Sequence, residues 1–272
     1  MVMGKIAENI ADIGYMDTLA AGSSPLHRLD PRAKLVTTAL FIVAVVSFGK
    51  YEVSALLPFL LYPVYLAAQG RLPARYLLKK VLLVSPFAVM VGILNPFFDV
   101  GVLLRVGHVG VPGGWVSFAS ILLRFLLTVS AALALLALTG INSICEGLLR
   151  LGAPRAFVVQ LLFLNRYIFS LAAETENMTR ARALRSAGRR GMRFGVFIQI
   201  LGHLLLKTLD RAERVYRAML ARGFDGHIRV ARFYKIGRAE AAFFLGWSAL
   251  FAVFKSVNLP VILGQAVTGL LK

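Results

Sequence analysis

The chain has 272 residues, of which 58% are hydrophobic and only 16% charged, against the roughly 45–50% and ~25% of soluble domains. With a mean hydropathy of +0.73 there is too little polar surface to wrap a water-soluble core, and disorder is excluded for the same reason. The charge balance is lopsided, 31 Lys and Arg against 13 Asp and Glu or +18; this would suggest nucleic acid in a soluble domain, but in a membrane protein basic residues collect in cytoplasmic loops, and no nucleic-acid partner is expected.

The first 24 residues carry Glu8, Asp12 and Asp17 and no long apolar run, so they do not read as a signal peptide. Residues 1–34 are expected to form a cytoplasmic segment. It closes on Asp30-Pro31, an N-cap with Pro at the first helical position. Residues 35–139 are expected to hold four membrane helices, each needing ~20 mostly apolar residues. The first runs from about Leu35 to Phe48 and extends to either side, and the second from about Val53 to Gln69. A basic loop with Arg71, Arg75, Lys79 and Lys80 follows. The third runs from about Val81 to Phe98, with Pro86 inside and a stop near Asn95-Pro96; Asp99 at its end reads as a cap or loop residue. A connection holding Gly107, Gly110, Gly113 and Gly114 leads to the fourth, from about Trp115 to Thr139. Arg124 within it is costly in lipid and is expected to face protein or water.

Residues 140–239 differ in character. Between Ile141 and Arg238 lie 18 of the 31 basic residues and 6 of the 13 acidic ones, which reads as a cytoplasmic helical segment. An apolar stripe runs Leu205, Leu209, Ala212, Tyr216, Met219, Gly223 at helical spacing, with Lys207, Arg211, Arg214 and Arg222 opposite. An earlier stripe runs Phe157, Leu161, Leu164, Ile168, Leu171, Met178. Gly188, Gly191 and Gly195 mark a joint between the two helices, which are expected to bury their stripes against each other. Residues 240–272 hold a fifth span, interrupted by Lys255 and Pro260. Basic residues flank the first span and fill the second loop, which puts the N-terminus and the long basic segment in the cytoplasm and the C-terminus outside.

The chemistry of an enzyme is missing. Gly4-Lys5 and Gly49-Lys50 are not followed by Ser or Thr, so there is no phosphate-binding loop. His27, His108, His203 and His227 are scattered, and Cys145 is the sole cysteine, so no metal site or intrachain disulfide is expected. Acidic residues are nearly absent from the spans, against an ion-coupled carrier.

Two stretches carry a resemblance. Leu29-Asp30-Pro31-Arg32-Ala33-Lys34 leads into the first span, and Ala221-Arg222-Gly223 closes the basic segment, with Leu184-Arg185-Ser186 one helix earlier. These resemble the transmembrane, or T, component of energy-coupling factor (ECF) transporters, whose first Ala-Arg-Ser motif here has Leu184 for its leading Ala. Asn165-Arg166-Tyr167 and the run to Arg185 are further similar to the cobalt- and nickel-transporting, CbiQ-like branch. The resemblance implies an all-α integral membrane protein of about five transmembrane helices with long crossed amphipathic coupling helices, in a prokaryotic inner membrane. It implies two ATP-binding cassette ATPase subunits, which hold the ATP-Mg, and a separate substrate-specific S component, a CbiM-like metal-binding subunit, as partners in the lipid bilayer. Arg185, Ser186, Ala221, Arg222 and Gly223 are then the ATPase-coupling residues, with no catalytic, cofactor or metal residue in this chain. Without the resemblance, Arg222 and Gly223 read as a helix-terminal cation and a left-handed cap, and Arg185 as a solvated charge. Arg suits the coupling role because its fork bonds a carboxylate in bidentate fashion.

The resulting expectation is a non-catalytic subunit that passes ATPase movement to the S component for cobalt or nickel import, in support of cobalamin biosynthesis where cobalt is the cargo. The alternatives are the T component of a vitamin transporter, a membrane-bound lipid-modifying enzyme, and a basic membrane scaffold.

Overall fold

The computed structural model describes residues 14–98, 102–106, 109–185, 194–225 and 237–256. The chain divides into two compact units, residues 18–147 with 234–272, and residues 1–17 with 148–233.

The first unit is built on helices. A short turn α1 (Pro25–Arg28) leads to α2 (Pro31–Val46). Asp30 caps α2 as expected: its carboxylate accepts from Arg32 N at 2.8 Å, and Pro31 takes the first helical position, where an N–H would have no partner. The second apolar stretch is broken into α3 (Val53–Leu56), a 3-10 turn (Leu57–Leu60) and α4 (Leu61–Gln69). Pro58, at the start of that turn, has no N–H to offer a regular α-helix. The next helix, α5 (Ala74–Gly92), begins earlier than the expected Val81 and takes Lys79 and Lys80 into its first turns. A turn α6 (Asn95–Phe98) follows, and Asn95 Nδ2 donates to Ser117 Oγ at 3.3 Å.

The glycine-rich connection contains a small antiparallel hairpin, β1 (Val102–Val106) and β2 (Val109–Pro112), with Val106 opposite Val109 and Arg105 opposite Gly110. It runs directly into α7 (Gly113–Thr139). The unit closes with α11 (Arg238–Ser256). Pro260 lies outside the described residues.

The core is where α2, α4, α7 and α11 meet. Phe41, Tyr62 and Phe251 form an aromatic cluster with centroids 4.7–5.4 Å apart, and Thr38 Oγ1 and Tyr62 Oη share a 2.7 Å hydrogen bond inside it. Along α7, Leu127, Ala131, Ala134 and Ala137 are fully buried. Small residues at three- and four-residue spacing let helices approach closely where lipid supplies no hydrophobic drive between them. Gly70 serves the same end, because a Cβ there would stand 2.4 Å from Leu138 Cδ2. By contrast, Val43, Leu83, Phe87 and Met90 point outward, as a lipid-facing surface requires.

Two cationic ties join α2 to α7. Lys34, only 3% exposed, donates from Nζ to Leu138 O at 3.4 Å. Arg124 donates from Nη2 to Gly49 O, just past the other end of α2. The fourteen or fifteen residues between the ties on each helix correspond to about 21–22 Å at 1.5 Å per residue.

The second unit contains α9 (Arg155–Arg185) and α10 (Phe194–Ala221), with α8 (Ile141–Arg150) running into it. Among the described residues three helices can cross a membrane by length and composition: α7, α9 and α11. The first two expected spans are shorter, 16 residues in α2 and 17 in the broken stretch Val53–Gln69. That α9 qualifies differs from the expectation of a wholly cytoplasmic segment. Its first half is apolar and its charges gather after Glu174.

Candidate functional site

The two long helices are antiparallel neighbours. Ser170 Oγ accepts from Arg211 Nη1 at 2.6 Å, and one turn further along α9 Glu174 pairs with Lys207, one turn earlier on α10. At 1.5 Å per residue α9 is about 46 Å long and α10 about 42 Å, so these contacts fix only a middle section. On one side of them lies an apolar groove of about 430 Å³, floored by Phe163, Tyr167, Leu171, Val215, Met219 and Phe224. On the other side is a more polar hollow of about 530 Å³, lined by Arg182, Arg185, His203, Lys207 and Asp210 among others.

The face that α10 turns to α9 matches the expected one in part: Ala212, Tyr216 and Met219 of the stripe line the apolar groove. Leu205 and Leu209 are each 58% exposed, while Lys207 and Arg211, assigned to the opposite face, make the bonds across the pair. The face of α10 that is least exposed runs through Leu204, Thr208, Val215 and Met219, so the helix meets α9 on an apolar line slightly rotated from the expected stripe, with Lys207 and Arg211 bonding from its edge. On α9 likewise, Phe157 and Leu164 of the expected stripe point outward, whereas Leu171 lines the apolar groove. Ser170 and Glu174 had no separate signal in the sequence. Their four-residue spacing matches that of Lys207 and Arg211 in reverse, as an antiparallel pair demands.

The Ala221-Arg222-Gly223-Phe224 stretch has a definite local form. Gly223 sits at φ +75. Its N–H donates to Leu220 O at 3.0 Å and that of Phe224 to Met219 O at 3.0 Å, which together make a Schellman motif. Glycine is required because φ is positive; a Cβ would otherwise meet open space. Phe224 and Met219 both line the apolar groove, the apolar contact that accompanies this cap. The cap uses only the backbone of Arg222, whose side chain is exposed.

Arg185 is the last residue of α9 and exposed, on the rim of the polar hollow. Ser186 lies outside the described residues, as do Gly188, Arg189, Arg190, Gly191 and Arg193. Ala221 is the last residue of α10. The structure thus puts Arg185 and Arg222 each at the C-terminal end of a long helix. Arg180 and Arg217 are engaged with Glu176 and Glu213 one turn away, surface pairs worth only ~0.3–0.5 kcal/mol. Among the described residues Arg182, Arg185, Arg214 and Arg222 have no ion-pair partner within 4.0 Å, which leaves a set of cations able to receive carboxylates from another chain. Among the described residues no group of three or more His, Cys, Asp and Glu could hold a metal.

The family model described as "CbiQ: Cobalt transport protein" matches residues 22–233, a range that takes in the capped N-terminus of α2 and the Arg222 cap alike. The energy-coupling factor transporter transmembrane protein EcfT of Listeria innocua is 28% identical over 225 residues, which is 75% of this chain and 82% of that protein. EcfT of Bacillus subtilis is 28% identical over 222 residues, again 75% and 82% of the two chains. An uncharacterized protein of Methanocaldococcus jannaschii is 28% identical over 233 residues, covering 82% of this chain and 79% of its own. Proteins of this kind are transporter subunits and not enzymes, in keeping with a chain whose notable residues are helix-end cations. The chain therefore belongs to the CbiQ family, the transmembrane components of energy-coupling factor transporters.

Proposed function

We propose that this chain couples two ATP-binding cassette ATPases, with their bound ATP and magnesium, to a separate substrate-binding membrane subunit, and that the cargo is cobalt or nickel. The observation that carries the coupling role is the helix end at Arg222. A Schellman cap fixes the backbone there, and an exposed guanidinium with no ion-pair partner among the described residues projects from it. Arg185 supplies the corresponding cation at the end of α9, with Ser186 beside it, and the two serve one ATPase each. The N-terminus and the helix ends face the cytoplasm, where the ATPases are, because basic residues concentrate on that side. The metal reading follows from the description of the matching family. Residues 1–34, 35–139, 140–239 and 240–272 then serve as entry segment, membrane bundle, coupling segment and final span.

A second cargo reading has support too, since the named relatives are EcfT proteins, with no metal in the name. Isolation of the complex in mild detergent from its native membrane distinguishes them: the co-purifying small membrane subunit is either metal-binding or vitamin-binding. Arg222→Glu should leave the chain in the membrane, lower recovery of the ATPases and reduce ATP-driven uptake. Losing one buried charge pair costs ~3–5 kcal/mol, so a variant that retains both ATPases and normal uptake overturns the role of Arg222.

A further inference from the structure

A second polar cluster lies within the first unit, at the end of α2 opposite Lys34. The turn between α2 and α3 is met there by two cations from different helices. Arg124 of α7 donates to Gly49 O, and Lys255 of α11 donates from Nζ to Ser47 Oγ at 2.8 Å. Both acceptors are neutral. Among the described residues neither cation has a carboxylate within 4.0 Å, and the Arg124 Nε is buried without a partner. Lys50 lies on the same turn, its Nζ 4.6 Å from the centroid of the Tyr51 ring. The acid on the turn is Glu52, which accepts from Gly49 N at 3.3 Å.

The depth of this cluster is its second property. Arg124 is about 21 Å along α7 from the Lys34 tie, and Lys255 is about 26 Å along α11 from Arg238. A hydrocarbon core is ~30 Å thick. A helix pair this short brings its polar turn inside the bilayer's normal thickness, which the membrane meets by thinning. Cations at such a depth are costly unless paired, and among the described residues the acceptors of Arg124 and Lys255 are neutral oxygens. The group that can reach them from the bilayer is a lipid headgroup, and the one that neutralises them is anionic.

We propose that Arg124, Lys255 and the 47–52 turn form a binding site for the headgroup of an anionic phospholipid drawn down to the end of the short α2–α3 hairpin. The phosphate receives the guanidinium and ammonium, while Ser47 Oγ keeps its own proton on Ala44 O at 3.0 Å. This goes beyond the coupling role and does not depend on the cargo.

The test uses the full chain reconstituted in phosphatidylcholine bilayers with a minor fraction of spin-labelled phosphatidylglycerol, compared with spin-labelled phosphatidylcholine. The wild type should immobilise the anionic probe preferentially. The preference should fall about fivefold for each cation removed in Arg124→Gln and Lys255→Gln, and persist in the charge-keeping pair Arg124→Lys and Lys255→Arg. Lys255 is exposed at a helix end, so its single variant remains informative if Arg124→Gln does not fold. Equal immobilisation of both probes, or a preference unchanged in the double Gln variant, overturns the proposal. Loss of the preference on adding inorganic phosphate alone, at constant ionic strength, overturns the lipid assignment in favour of a soluble anion.

Discussion

Lys34 and Leu138 are 104 residues apart in sequence, yet the lysine ammonium caps the carbonyl of Leu138 in the last turn of α7. A cation at a helix C-terminus opposes the carbonyl end of the macrodipole, and here it comes from a different helix. Lys34 also lies one turn from the N-cap Asp30, which is 1% exposed. The start of α2 and the end of α7 are thereby held together. Lys34→Met should lower the stability of the chain in detergent by about 1–3 kcal/mol, the range for losing a buried hydrogen bond to a charged group, and Lys34→Arg should restore part of it. An unchanged unfolding midpoint in Lys34→Met would show that the tie is not made.

Two glycines should respond in opposite directions to alanine. At Gly70 the added Cβ would sit 2.4 Å from Leu138 Cδ2 and 2.6 Å from Leu66 O, and overpacking of this kind costs ~1–3 kcal/mol. At Gly202, inside α10, nothing lies within 4 Å of the added atom, so Gly202→Ala should stabilise the helix by ~0.5–1 kcal/mol. Thermal unfolding of the two variants side by side checks the contrast. Stabilisation by Gly70→Ala would contradict the close approach of the Gly70 turn to α7.

The Glu174–Lys207 pair offers a test of the antiparallel register of α9 and α10. Each single reversal, Glu174→Lys or Lys207→Glu, should weaken the pair of helices, and the double swap should recover ~0.2–1 kcal/mol of coupling. The recovery should shrink as salt is raised, because the pair is partly exposed. A double-mutant cycle on limited proteolysis rates measures it, and zero coupling at low salt would refute the register.

Acid should weaken the N-terminal segment through His27. Its Nε2 donates to Leu19 O at 3.0 Å, and its Nδ1 accepts from Ser24 Oγ at 2.7 Å, a pairing made by the neutral ring. Burial first, and the nearby Lys34 ammonium as a smaller effect, hold its pKa below the usual 6.5, outweighing the opposing pull of Leu19 O. A group depressed on folding gives stability that is complete above the unfolded value and is lost as pH falls through the folded one. The wild type should therefore lose stability as pH falls below about 6.5, the ordinary histidine value, and on through the lower folded one. His27→Gln should lose less, and equal losses would remove His27 as the cause.

Local signals were readable from residues alone. Asp30-Pro31 announces a capped helix start because cap and proline act within three residues, and Gly223 announces a left-handed stop for the same reason. Contacts between helices were less legible. The stripe through Leu205, Leu209 and Tyr216 is correct as a face, but periodicity does not say what covers it, and the bonds of Lys207 and Arg211 depend on partners 33 and 41 residues away. The β1–β2 hairpin was hidden because its glycines read equally well as an open connection. Of the proposed coupling residues, Arg185 and Arg222 could be found only by family likeness, since an exposed arginine at a helix end has an ordinary electrostatic explanation.

The Schellman cap at Met219–Phe224 separates two tasks that many helix ends combine. The stop is made by main-chain bonds, one glycine and an apolar contact, so the side chain at 222 takes no part in forming it. Residue 222 can change, proline excepted, with the main-chain cap kept, because only its N–H, bonded to Met219 O, enters the cap. Under the coupling role proposed for Arg222, the surface it addresses can therefore be altered by one substitution while the main-chain stop that positions it stays in place.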